Sequence, residues 1–312
     1  MNVKELRKLF HEKGQVYGSA LLRFEETAGY DVYNCSVPFE WEGKTYIFGR
    51  VEKREDFANS VTCLFERRGP DRYAPVPGAV TYPVEDPHVA FIGGEIILGG
   101  THVRKRGGKI DTLYGYYYRG RDPRFLSHFT CGPANMKDIR LVPRPDGRVG
   151  VFTRPRNSRI AARYGSEAVV GYTALDRIED LDRTVADKAK IIGGLFEKGE
   201  WGGCNQCYPL RDGRIGVIGH RCYKEPADGI EVQVYVNISF IFDPRTFLVS
   251  GMRVIGDKQS YPETPFMLPY LKDCAFTTGI VMRPDGKADL YSGLGDVAEG
   301  RIVIDPPFGD LL

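Results

Sequence analysis

The chain lacks any long apolar run. Its opening, Met1-Asn2-Val3-Lys4-Glu5-Leu6-Arg7, has no hydrophobic core, and no later stretch approaches transmembrane length. The expectation is a cytoplasmic protein with no membrane partner. There is no excess of one charge either: 43 Lys and Arg against 41 Asp and Glu leave a net +2, without a run of one sign. Such a balance argues against nucleic acid as a partner. Cysteine shows no paired framework: its seven scattered copies are an odd number, which suits free thiols in a reducing compartment better than a disulfide frame. No linker divides the 312 residues, so a single domain over 1–312 is expected. Helical signal is scarce too. Val3, Leu6, Leu9 and Phe10 make one face of a short amphipathic helix over 2–13, stopped by Gly14, and only the interval 174–190 is otherwise polar and helix-tolerant, read as an inter-blade connection.

What is present is a repeat. Five passages each read as a strand, a tight glycine turn and a second strand that ends on a polar group. Their turn glycines are Gly43, Gly94, Gly147, Gly213 and Gly286, giving steps of 51, 53, 66 and 73 residues. About four strands fit each unit, which is the spacing of β-propeller blades. The predicted fold is all-β: a five-bladed β-propeller with a short N-terminal helix. Blades are expected near 31–75, 84–130, 134–175, 192–245 and 272–305, with an N-terminal strand at 16–25 closing the last blade.

A propeller directs the ends of its inner strands to one funnel. Seven residues past each turn glycine stand Arg50, Thr101, Arg154, His220 and Gly293. Just before the first strands lie Asn34, Glu85-Asp86-Pro87-His88, Lys137-Asp138-Ile139-Arg140 and Cys204-Asn205. Arginine or histidine at one height in three blades is costly to bury unpaired and points to an anion-compatible pocket. His88, His102 and His220, three of the five histidines, map to this rim. Asp86 and Asp138 occupy equivalent positions in neighbouring blades, an arrangement that suits protonation of a glycosidic oxygen. Plainer readings stand beside these: Asp before Pro caps turns, Lys-Asp forms structural ion pairs, His220 is a hydrogen-bonded core histidine, and Arg154 bridges two blades. Cys204 and Cys207 lack a second pair, so no metal site is expected.

With these segments in place, the chain resembles the five-bladed mannoside phosphorylases and hydrolases of glycoside hydrolase family 130. Glu85-Asp86-Pro87 is similar to that family's Glu-Asp-Pro-Arg, and Lys137-Asp138-Ile139-Arg140-Leu141-Val142-Pro143 with Arg154-Pro155 to its Lys-Asp-x-x-Leu-Phe-Pro and His-Arg-Pro. Gly219-His220 and Tyr291-Ser292-Gly293-Leu294-Gly295-Asp296 continue the likeness in order. His88 and Thr153 depart from the family's Arg and His. The resemblance implies that Asp86 is the proton donor, relayed through a sugar hydroxyl. Inorganic phosphate would be the co-substrate, held by Arg154 and His220 with help from Arg140 or Lys137, and no other cofactor is implied. Asn34, Arg50, Glu85, His88, His102, Asp138, Asn205 and Asp296 would bind substrate.

The leading expectation is therefore an enzyme that cleaves a β-mannoside or related oligosaccharide, by inverting phosphorolysis. Phosphate-independent hydrolysis and non-catalytic glycan binding are the alternatives. Trp41, Trp201 and Tyr208 would stack on sugar in any of these. A homo-oligomer is left open.

Overall fold

A computed structural model describes residues 1–56 and 59–312. Its strands form five sheets arranged as a five-bladed propeller. The turn residues explain the repeat: Gly43, Gly94, Gly147, Gly213 and Gly286 all adopt positive φ between 74° and 82°, where a side chain would be strained. Each joins the innermost strand of a blade to the second.

Blade one combines Asp31–Tyr33, Phe39–Trp41, Lys44–Glu52, Val61–Gly69 and Arg72–Pro75. Blade two runs over Glu85–Ile92, Glu95–Arg106, Lys109–Gly120 and Ser127–Ala134. Blade three holds Arg140–Pro143, Val149–Thr153, Gly171–Leu175 and Lys190–Ile191. The 174–190 interval thus lies inside this blade, before its outer strand, and not between blades. It carries two short helical turns, Ile178–Asp180 and Val185–Lys188. Blade four contains Trp201–Pro209, Ile215–Ala227, Ile230–Asp243 and Leu248–Gly256, so its outer strand extends past the expected 245. Blade five uses Ala275–Met282, Ala288–Leu294 and Ala298–Ile304.

The expected N-terminal strand performs the closure but divides its work. Val16–Leu21 pairs antiparallel with Ala298–Ile304 and completes blade five. Beyond Leu22 the chain changes sheet, and Arg23–Phe24 pairs parallel with Arg72–Tyr73 of blade one. Arg301 fastens the same seam through Asp71 at 2.7 and 2.8 Å. The N-terminal helix, Val3–Lys13, is capped by Asn2 and packs Val3 and Leu6 against the blade three–four core.

The core is distributed between blades, since each sheet buries both faces against its neighbours. Five apolar clusters fill the five interfaces. Examples are Ile97, Leu141 and Val151 between blades two and three, and Ile218, Ile280 and Leu290 between four and five.

Candidate active site

Every innermost strand is irregular at one height, eight or nine residues before its turn glycine. In blade one the strand is broken at 34–38, between Asp31–Tyr33 and Phe39–Trp41. In blade two the register slips between Glu85 and His88, around Asp86-Pro87. Blade three starts its strand just after Asp138. Blades four and five carry bulges at Asn205 and Thr278. Asn34, Asp86 and Asp138 adopt positive φ of 46°, 50° and 58°, and Asp296, on a turn of blade five, joins them at 57°. Asn and Asp tolerate this region best, and bulges re-aim side chains beside functional sites. These interruptions turn polar groups from the ladder into the funnel.

On one side they build an acid centre. Asp86 is buried and accepts hydrogen bonds at Oδ1 from Asn34 Nδ2 (3.0 Å) and Arg50 Nη1 (3.1 Å). Arg50 also donates to Glu52 (2.6 Å) and faces Glu85 at 3.3 Å, so its guanidinium is saturated by carboxylates. Asn34 Nδ2 reaches Asp296 Oδ1 at 3.4 Å as well. Burial pushes the Asp296 carboxyl up, and the Asp86 charge adds to it against the pull of Arg50. Burial likewise raises Glu85. Gly293 explains how Asn34 fits: a Cβ there would sit 1.8 Å from Asn34 Oδ1.

Opposite stands a cationic wall. Arg154 donates Nη1 to Asp138 Oδ2 (2.7 Å) and Nε to the Gly202 carbonyl (2.7 Å). Burial alone would raise Asp138; Arg154, Lys137 and Arg140 overcome it and hold the carboxyl well below its usual range. Lys137 lies 4.0 Å from Asp86 Oδ2 and couples the two sides. His220 is fully buried. Its Nδ1 lies 2.7 Å from Asn205 Oδ1, while Nε2 has no partner among the described residues. Burial and then the Arg154 charge hold the imidazole well below its ordinary pKa. An Asn205 carbonyl oxygen accepting from Nδ1–H leaves Nε2 as a lone-pair acceptor, suited to a hydroxyl.

Asn34, Arg50, Asp86, Lys137, Arg154, His220 and Asp296 line one cavity of about 240 Å³. Trp201, Tyr235, Phe276 and Leu271 supply an apolar wall, and Arg156 and Glu167 stand at the mouth. None of the other expected residues lines it. Arg140 lies beneath, donating to the Asn205 carbonyl (2.9 Å) and to Asp138 (3.3 Å), with His88 Nδ1 3.3 Å away. His102 sits apart: its Nδ1 bonds the Pro83 carbonyl and its ring stacks on Tyr116 at 4.4 Å. Trp201 is the one expected stacking residue in the cavity. Trp41 bonds the Arg121 carbonyl, and the Tyr208 hydroxyl bonds the Ile280 backbone, both elsewhere.

Sequence reasoning missed Arg156, Glu167, Tyr235 and Phe276. Counting from turn glycines reaches only the first two strands near their ends. Arg156 and Glu167 come from the connection between two strands of blade three, and Tyr235 from the long hairpin of blade four. Among the described residues no group of three His, Cys, Asp or Glu could hold a metal ion, and no helix is long and apolar enough to cross a membrane. A larger groove, about 390 Å³, lies beside the N-terminal helix and shares no residue with this site.

A family described as protein of unknown function (DUF1861) matches residues 8–310. The chain belongs to this family. Among solved structures it is similar to MPT-4, a mannose phosphorylase from Leishmania mexicana solved in complex with phosphate ion. Identity is 47%, covering 98% of this chain and 93% of that one, with a TM-score of 0.92. It is also similar to MPT-1, a GDP-Man-dependent mannosyltransferase from Leishmania mexicana, at 40% identity, 100% and 98% coverage and a TM-score of 0.92. A β-1,2-mannobiose phosphorylase from Listeria innocua shares the fold at 12% identity, 94% and 92% coverage and a TM-score of 0.60. No curated protein matches the DUF1861 chain.

Proposed function

We propose that this DUF1861 chain is an inverting mannoside phosphorylase, with Asp86 as the proton donor and inorganic phosphate as the attacking group. The observation that carries the reading is the shared cavity, which Asp86 lines together with Lys137, Arg154, Arg156 and His220. The likeness to a mannose phosphorylase solved with phosphate supports the substrate class.

The chemistry follows from the two sides. Phosphate would lie against Arg154 and Lys137, whose charges suit its oxygens, and Arg156 at the mouth would complete the clamp. His220 Nε2, a lone-pair acceptor, would accept a hydrogen bond from a hydroxyl of the sugar or of monoprotonated phosphate. The mannosyl unit would lie between Asp296 and the Trp201–Tyr235–Phe276 wall, its apolar face on the rings. A phosphate oxygen attacks the anomeric carbon, the bond to the leaving oxygen breaks, and the Asp86 proton passes to that oxygen, directly or through a sugar hydroxyl. Arg50 and Asn34 hold Asp86 in place, and Asp138 holds Arg154.

The relation to MPT-1 motivates a second reading, mannosyl transfer from GDP-mannose. Phosphorus NMR separates the possibilities. Incubation of β-1,2-mannobiose with phosphate is expected to yield α-mannose 1-phosphate, and mannose 1-phosphate with mannose to release phosphate. Consumption of GDP-mannose alone would replace phosphorolysis with transfer. Release of mannose at a rate indifferent to phosphate would replace it with hydrolysis.

A further inference from the structure

The segment Asp257–Cys274 joins blade four to blade five and forms part of the cavity's edge through Leu271 and Cys274. It is held firmly. Arg7 of the N-terminal helix reaches Asp257 at 2.7 Å and Asp273 at 2.9 Å, near its two ends. Met267 N–H donates to the Gly295 carbonyl (2.8 Å), Gly295 N–H to the Cys274 carbonyl (3.0 Å), and Tyr235 N–H to the Asp273 carbonyl (3.0 Å). Lys272 pairs with Asp228 at the tip of the blade-four hairpin. Pro262, Pro265 and Pro269 restrict the backbone further. The segment therefore packs directly on the turn that carries Asp296.

Two large rings on this braced segment face water: Phe266 is 42% and Tyr270 38% exposed. Among the described residues neither stacks on another ring or on a cation, unlike most aromatic residues of the protein. Leu271, the neighbour of Tyr270, lines the cavity, and Phe266 packs against Gly295, the residue before Asp296. The cavity, about 240 Å³, is smaller than the ~300–1,000 Å³ of pockets that enclose drug-sized ligands. Any longer sugar chain must leave it over the rim.

We propose that Phe266 and Tyr270 form an outer sugar-binding subsite that takes a unit of a mannoside chain emerging past Asp296. The inference rests on the mannoside reading above and extends it to chain length. The C–H face of a pyranose is apolar and flat enough to cover an aromatic ring, and two rings on a rigid support lose little entropy on binding. Sugars held only within the cavity gain nothing from them.

Calorimetry on an Asp86→Asn background, which keeps the ligand intact, tests this with β-1,2-mannobiose and β-1,2-mannotetraose as probes. The tetraose is expected to bind about tenfold tighter than the biose. Phe266→Ala with Tyr270→Ala shrinks that gap to within about twofold while leaving biose affinity and the melting temperature unchanged. Phe266→Tyr with Tyr270→Phe keeps the gap. An equal gap with and without the rings, or no gap in the parent, overturns the subsite. A ring-dependent gap in a protein that fails to phosphorolyse mannobiose upholds the subsite and removes only the phosphorylase reaction. Failure of both sugars to bind overturns both.

Discussion

The two halves of the funnel solve the burial of charge differently. On the blade one, two and five side, Arg50 is saturated by Glu52, Glu85 and Asp86, and Asn34 spans Asp86 and Asp296. On the blade three and four side, Arg154 spends one nitrogen on Asp138 and another on a carbonyl, His220 Nε2 is unpartnered, and Arg156 at the exposed mouth has no ion pair among the described residues. One half pairs its guanidinium fully with carboxylates and fixes Asp86 in place, leaving Asn34 Oδ1 as an open acceptor among the described residues. The other retains donor capacity for an anion at Arg156 and an open acceptor at His220 Nε2. A glycan-binding surface would need neither asymmetry, whereas phosphorolysis needs both.

The largest effect is expected where the acid half meets chemistry. Asp86→Asn should lower kcat about 10³–10⁴-fold with the melting temperature retained. A rate within tenfold of the parent would move the acid elsewhere, Asp296 being the next carboxyl.

The cationic half predicts a contrast between two arginines. Arg154→Ala should raise the phosphate KM about 100-fold and destabilise the fold by about 3 kcal/mol, because Asp138 loses its closest partner in a buried site. Arg156→Ala should raise the phosphate KM about tenfold with stability changed by less than about 0.5 kcal/mol. Equal stability losses would erase the distinction between a structural and a free cation.

Gly293→Ala probes the support of the acid half, since the added methyl must displace Asn34. A kcat loss of about 10–100-fold is expected, with mannoside KM affected less, because Asp86 loses its alignment. Retention of full activity would show that Asn34 does not position Asp86.

The smallest effect concerns Glu299, buried behind Asn34. It accepts from Cys35 N–H (3.1 Å) and Thr278 Oγ1 (2.8 Å), and burial pushes its carboxyl up to about 7. A raised acid is bound to its proton in the folded state. Its contribution is present below the ordinary value of 4.5 and is lost as pH rises through about 7. Glu299→Gln should therefore flatten the fall in melting temperature between pH 4.5 and about pH 7, the two values that bound the window. An unaltered profile would assign the pH dependence to Asp296 or Glu85.

Much of this was legible in the chain, for identifiable reasons. Turn glycines at positive φ are nearly obligatory, so their spacing exposed the five blades and pointed to Arg50, Arg154 and His220. Asn34, Asp86 and Asp138 were found because each stands eight or nine residues before such a glycine. The bulges that turn these groups inward left no signal of their own beyond Asn and Asp at those positions. Arg156 and Tyr235 escaped because connections and long hairpins follow no shared count, and Phe276, on the innermost strand of blade five, escaped because only polar positions were counted there. Arg140 and His88 shared the motif of the lining residues, yet the packing of three blades tucks them below the floor. The blade edges drifted for a similar reason: outer strands such as Lys190–Ile191 are short and follow polar helical turns.

The division of the funnel is tested most directly by phosphate affinity, measured by calorimetry without sugar. The account predicts that Asp86→Asn binds phosphate about as tightly as the parent, since Asp86 is not part of the cationic clamp, while Arg156→Ala binds it about tenfold more weakly. Phosphate affinity lost with Asp86→Asn but kept with Arg156→Ala would contradict it.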